Sequence, residues 1–239
     1  MLGHMVYKIL KKNKNYDIYT TSLRWPNDDF KNYIINFYNL DRGDYIINCI
    51  GAIHQKTQIF NINSDLPIWL DKNVDLNLTK CRIIHPGTDC EFDNDEYGNS
   101  KRKASEYIIN KGKASKIIRS SIIGPELKIH ASFLDWFLNS DNSVDGYTEA
   151  MWNGITTLQW AEICNDIIIN WDSYDTLIVP YTKCISKYEL LLNIKDIYKK
   201  DIIVNKNSNI KVNKCLDGNL KCPSIKEQLL KMKNIYTKN

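Results

Sequence analysis

Four short apolar runs constrain the fold most: "DYIINCIGAI" (44–53), "KCRIIHPGT" (80–88), "SKIIRSSIIG" (115–124) and "TLIVPYT" (176–182). They are rich in isoleucine and lack the polar alternation of a half-wet strand, as strands covered on both faces do. Helical patterns lie between them, over about 62–78 and, more clearly, from Tyr97 to Asn110, stopping near Gly112. In "TTLQWAEICNDIII", Trp160, Ile163, Cys164 and Ile167 fall at i, i+3, i+4 and i+7, the spacing of a core-facing helix. "MLGHMVYKILKKN" carries a helical apolar face, and "YDIYTTSLR" (16–24) is β-branched and aromatic enough to read as a further strand. Two Ser-x-x-Glu capping boxes, 186–189 and 224–227, open late helices. Strand and helix in alternation predict right-handed βαβ units. The fold class is therefore α/β, with a doubly wound parallel sheet.

Composition narrows the class of function. The chain has 239 residues, 43% hydrophobic and 25% charged, enough for one soluble globular domain with a real core or for a domain with a smaller lobe. A net charge of +4, with lysines dispersed among loops, argues against nucleic acid as a partner. Seven cysteines (49, 81, 90, 164, 184, 215, 222) form no CxxC pair, and the four histidines (4, 54, 85, 130) do not cluster with them, so no metal site is expected. The economical reading is reduced thiols in a cytoplasmic protein. No run has the length of a membrane span and no signal peptide precedes the chain, so no membrane partner is expected.

The chemistry concentrates in "TDCEFDNDEYGNSKRKASEYI" (88–108). Tyr97 and Lys101 are four apart, on one face of the predicted helix. A phenol ordinarily titrates at about 10, and an ammonium one turn away is expected to pull that value down. Tyr97 then becomes a general acid for a carbonyl oxygen, and Thr88, at the end of the neighbouring strand, orients the same carbonyl.

"RIIHPGTDCEF" followed by "YGNSKRKASE" resembles the paired signature of the extended short-chain dehydrogenases/reductases. The nearest likeness is the dTDP-4-dehydrorhamnose reductase branch, whose strand end reads like Ser-Thr-Asp-Cys-Val-Phe and whose helix opens Tyr-Gly-x-Ser-Lys. "INCIGAIHQ", "IRSSIIGPEL", "FLDWFLNSDNSVDGYTEAMWNGITTLQWAEI" and "ISKYELL" continue the likeness in order along the chain. The resemblance implies a Rossmann-type NADP-binding domain (1–124 and 154–180), a C-terminal substrate lobe (125–153 and 181–239), and a homodimer. It implies NADP(H)-dependent reduction of the 4-keto group of a nucleotide-linked 4-keto-6-deoxy sugar. Thr88, Tyr97 and Lys101 become the catalytic trio, and Lys101 also holds the nicotinamide ribose. Cys49, Gly51 and Ala52 line the cofactor with their backbone, and Arg24 meets the 2′-phosphate.

Several positions depart from the family pattern. Its Gly-x-x-Gly-x-x-Gly follows the first strand, but the chain opens "MLGHMV", so Gly3 stands for the third glycine and the first strand is absent. Either the coding frame opens upstream, or NADP is held weakly or not at all. The loop between Phe92 and Tyr97 is only "DNDE", and Gly87 replaces the serine before the threonine. Cys90 lies two residues beyond Thr88, the offset of the thiol that sister epimerase-reductases such as GDP-fucose synthase pair with a His or Lys; Lys128 and His130 are the candidates here. A bifunctional 3,5-epimerase/4-reductase is thus one alternative, with Cys90 as acid/base, and a non-catalytic binding subunit of the same fold is another. His54 and His85 read as structural.

Overall fold

The isoleucine-rich runs pair into a four-stranded parallel sheet, in the spatial order Tyr45–Ile47, Arg82–Gly87, Ser115–Arg119, Leu177–Ile178. Ile83, Ile84, Ile117 and Ile118 on its two middle strands are buried, as expected where helices cover both faces. The computed structural model describes residues 1–38, 44–76, 81–112, 114–128, 130 and 132–237.

The chain divides into two compact units. The sheet unit comprises Leu10–Arg119 and Cys164–Ile178. Its helices are Asp28–Tyr38, Ile62–Leu76 and Glu96–Lys111, together with the C-terminal part of Thr157–Ile169. Leu66 and Leu70, one turn apart, pack with Phe30, Ile34, Cys81 and Ile83 into one apolar cluster. The helix expected over about 62–78 ends at Leu76, and residues 77, 78 and 80 of the expected elements lie outside the described residues.

Two expected strands are corrected. Residues 16–24 form no strand. Their β-propensity finds no neighbouring ladder to pair with, and Thr21 Oγ1 instead accepts from the backbone N–H of Leu23 at 3.1 Å. The run 44–53 is a strand only over Tyr45–Ile47. Asn48 stops it: its N–H still donates to Ile84 O at 3.0 Å, but its side-chain oxygen then accepts from Ile50 N–H at 3.0 Å, turning the chain.

The terminal unit comprises Met1–Ile9, Ser120–Ile163 and Val179–Asn239. Residues 1–9, 120–124, 154–163 and 179–180, expected with the sheet, therefore group with the C-terminal part. Its three-stranded sheet runs Ile203–Lys214, Ser143–Trp152, Ile185–Ser186. Trp152, Trp160, Phe137, Leu190, Ile194 and Met232 are buried within the unit. Both capping boxes form as read: Ser186 with Glu189 and Ser224 with Glu227 exchange side-chain and backbone hydrogen bonds.

The expectation of wholly reduced thiols is overturned. Cys184 and Cys215 form a disulfide with Cα atoms 5.9 Å apart. Each flanks the strand Ser143–Trp152: Ile185 pairs with Trp152 on one side and Lys214 on the other, so neighbouring residues meet although 31 apart in sequence. The other five cysteines form no disulfide. No helix of the described residues is long and apolar enough to cross a membrane.

Candidate active site

The strand Arg82–Gly87 delivers Thr88 to a 3₁₀ turn, Asp89–Phe92, and the helix Glu96–Lys111 carries Tyr97 and Lys101. Thr88 caps the turn in extended conformation, its Oγ1 accepting from Cys90 N–H at 3.3 Å. Asp95 caps the helix, its Oδ1 accepting from Gly98 N–H at 2.6 Å. Gly98 lets the two caps come together. A Cβ at 98 would stand 2.2 Å from the backbone oxygen of Cys90, so only glycine lets the helix's first turn rest on the 3₁₀ turn.

That close approach joins two of the expected residues: the Thr88 hydroxyl, which donates to Asp89 Oδ1 at 3.1 Å, acts to lower the Tyr97 hydroxyl. Burial nevertheless drives the Tyr97 hydroxyl well above its ordinary value, reinforced by the charges of Cys90, Asp89 and Glu91 and only partly offset by Thr88. The expected lowering by Lys101 is not found. Lys101 is itself buried, and desolvation brings its ammonium down to about 8 against the opposing pull of Glu91. Its Nζ lies beside Gly51, 3.4 Å from where a Cβ would be. Tyr97 also packs against the rings of His54 and Phe60, centroids 5.2 and 5.7 Å away.

Other expected residues divide between those near this trio and those apart from it. Ala52 is clamped by Asn63, which accepts from its N–H at 2.8 Å and donates to its carbonyl at 3.0 Å; the same amide donates to Ser100 Oγ on the tyrosine helix at 3.2 Å. Cys49 is in the same segment, its thiol pushed up to about 12 by burial. Arg24 closes no strand. It is exposed in a turn whose carbonyl accepts from Asn27 N–H, ahead of a cis Trp25–Pro26 bond. Gly3 lies in the helix Leu2–Leu10 of the terminal unit, as a helix residue and not a loop glycine. Lys128 and His130 are exposed residues of that unit, His130 Nδ1 being 3.9 Å from Asp135 Oδ2. Cys90 is half-buried, its Sγ 4.0 Å from Asp89 Oδ1. His85 is packed between Asn48 and Ser115, at 3.2 and 3.4 Å, and burial lowers it to about 3. His54 Nε2 contacts the capping Asp95 at Oδ2, 3.1 Å away, beside the Tyr97 ring.

Sequence reasoning missed Asn63 and Glu91. Asn63 carries no local signal, because its contacts reach 11 and 37 residues away. Glu91 was legible: Thr88-x-x-Glu91 is the same capping-box pattern read at 186 and 224, and both its hydrogen bonds are present.

The fold is similar to that of several solved nucleotide-sugar enzymes. Over 99% of this chain and 96% of theirs, it superposes on a dTDP-4-dehydrorhamnose reductase from Clostridium acetobutylicum, with a TM-score of 0.72 and 16% identity. A Bacillus anthracis enzyme of the same name, solved in complex with NADP, matches over 98% of this chain and 95% of its own with a TM-score of 0.71 and 14% identity. A GDP-mannoheptose C4 reductase from Campylobacter jejuni, also with NADP bound, matches over 99% and 95% with a TM-score of 0.67 and 13% identity. No family model and no curated protein matches the sequence.

Proposed function

We propose that the protein is an NADP(H)-dependent reductase acting on the 4-keto group of a nucleotide-linked 4-keto-6-deoxy sugar. The observation that carries this reading is the meeting of the Thr88 turn with the first turn of the Tyr97 helix at Gly98, with Lys101 one helical turn on from Tyr97 and its Nζ beside Gly51. The residues fit a dinucleotide. Gly51 is exposed, and a Cβ there would fill the space within 3.4 Å of Lys101 Nζ and 3.2 Å of Asn63 Oδ1. Asn63 meanwhile fixes the backbone of the next residue, Ala52. Cys49, Gly51 and Ala52 would line the cofactor and Lys101 would hold its ribose; the neighbours solved with NADP support that choice of nucleotide. With Arg24 in an exposed turn, no residue is assigned to the 2′-phosphate.

When bound, NADPH supplies the hydride for the carbonyl carbon. Tyr97, kept protonated by burial, gives its proton to the carbonyl oxygen as the alkoxide forms. Thr88 orients that oxygen.

The test is NADPH oxidation with a dTDP-linked 4-keto-6-deoxy sugar. Tyr97→Phe is expected to lower kcat by about 10²–10⁴ while NADPH binding, followed by fluorescence titration, is retained. Absence of NADPH binding by the unmutated chain would favour the non-catalytic binding subunit. Cys90, half-buried two residues beyond Thr88, keeps the 3,5-epimerase/4-reductase as a second reading. Wash-in of solvent deuterium at C3 and C5 decides it.

A further inference from the structure

Glu91 is only 2% exposed, which is rare for a carboxylate. It is held by two groups from different parts of the sheet unit. Its Oε1 accepts from Thr88 N–H at 2.9 Å, so the backbone that presents the candidate catalytic hydroxyl hangs from this side chain. Its Oε2 is 2.7 Å from Arg119 Nη2, at the end of the strand Ser115–Arg119. That contact is close but poorly directed, since neither Glu91 Oε2 nor Arg119 Nε completes a hydrogen bond. The Glu91 charge also favours the Lys101 ammonium against the cost of burial.

The carboxylate also occupies space that the motif assigns to another side chain. A Cβ at Gly87 would stand 2.8 Å from Glu91 Oε1. The motif resembled by 87–92 has serine and valine where this chain has Gly87 and Glu91. Two departures thus amount to one packing arrangement: the side chain before the threonine is removed, and a carboxylate from the following turn fills its place.

We propose that Glu91 is a positioning residue of this site, setting the Thr88 backbone through its capping bond while its other oxygen is anchored by the Arg119 guanidinium. It acts through Thr88, and its charge also bears on Lys101. Its role in turnover rests on the reductase reading, but its effects on those two residues do not. The charges facing Lys101 from the packed elements are Glu91 on the 3₁₀ turn and, on the strand before it, His85, which burial and Lys101 together keep neutral.

The full chain, ¹⁵N-labelled and with ¹³C-labelled lysine, separates the two effects through Glu91→Gln and Glu91→Val. Glutamine retains an oxygen that can accept from Thr88 but removes the charge; valine removes both. Hydrogen exchange at the Thr88 amide is expected to stay slow in Glu91→Gln and to quicken about tenfold in Glu91→Val. The Lys101 titration midpoint, near 8 in the unmutated protein, is expected to fall by roughly one pH unit in both. In turnover, Glu91→Gln should lower kcat about tenfold with KM for NADPH unchanged. Unchanged Thr88 exchange in Glu91→Val overturns the positioning, and an unchanged Lys101 midpoint in Glu91→Gln overturns the influence of its charge on Lys101. Should a variant not fold, the unmutated protein still decides, because a Thr88 amide that exchanges freely there sinks the proposal. No NADPH binding and no turnover in the unmutated chain would instead defeat the reductase reading while the two NMR measurements stood.

Discussion

Tyr97 and Lys101 are four residues apart, and that spacing alone places them on one helix face. What the spacing could not convey was burial. Desolvation lowers Lys101 from 10.5 to about 8, so between those values the unfolded chain holds a proton that the folded one has released. The contribution of Lys101 to stability is therefore full above the unfolded value, declines as pH falls through this window, and is constant below about 8. Relative to Lys101→Met, the unmutated protein is expected to gain stability on going from about pH 8 to about pH 10, toward a limit on the order of 3 kcal/mol for the whole span. Urea denaturation of both proteins at the two pH values measures it. Comparison with the variant removes the opposing effect of the buried thiols at 49 and 81, which burial raises to about 12.

Elements were legible where their signals are local. The capping boxes at 186 and 224 formed as read, because a cap is decided within one turn of helix. Residues 16–24 failed as a strand for the opposite reason: a ladder needs a neighbour, and side-chain preference cannot supply one. At the tyrosine helix, Gly98 reports on packing between elements. Glycine to alanine within a helix ordinarily stabilises by up to about 1 kcal/mol. Here the added Cβ meets the Cys90 carbonyl at 2.2 Å, so Gly98→Ala is expected to destabilise by about 1–3 kcal/mol. The sign of the change in denaturation midpoint distinguishes a helix that rests on the 3₁₀ turn from one that does not.

At the scale of the whole molecule, a fold likeness persists at 13–16% identity because parallel strand order and layer packing tolerate nearly any apolar residue of suitable shape. The disulfide belongs to this scale, since nothing about residues 184 and 215 in sequence marks them as partners. In denatured, unreduced protein five of the seven cysteines are expected to alkylate, and mass spectrometry counts them. Cys184→Ser is expected to cost roughly 3–4 kcal/mol, the chain-entropy value for closing a loop of 31 residues.

By itself the sequence determined the parallel α/β sheet, the tyrosine helix with its lysine, and the caps, because hydrophobic period and capping chemistry act over a few residues. Tertiary structure decided which of those groups meet. It set Thr88 against Tyr97 through a glycine contact, buried Lys101 beside Gly51 with Glu91 as its opposing charge, and left Arg24 in an exposed turn. Such contacts join residues far apart in the chain, and the loss of water that shifts their ionisation depends on everything packed around them.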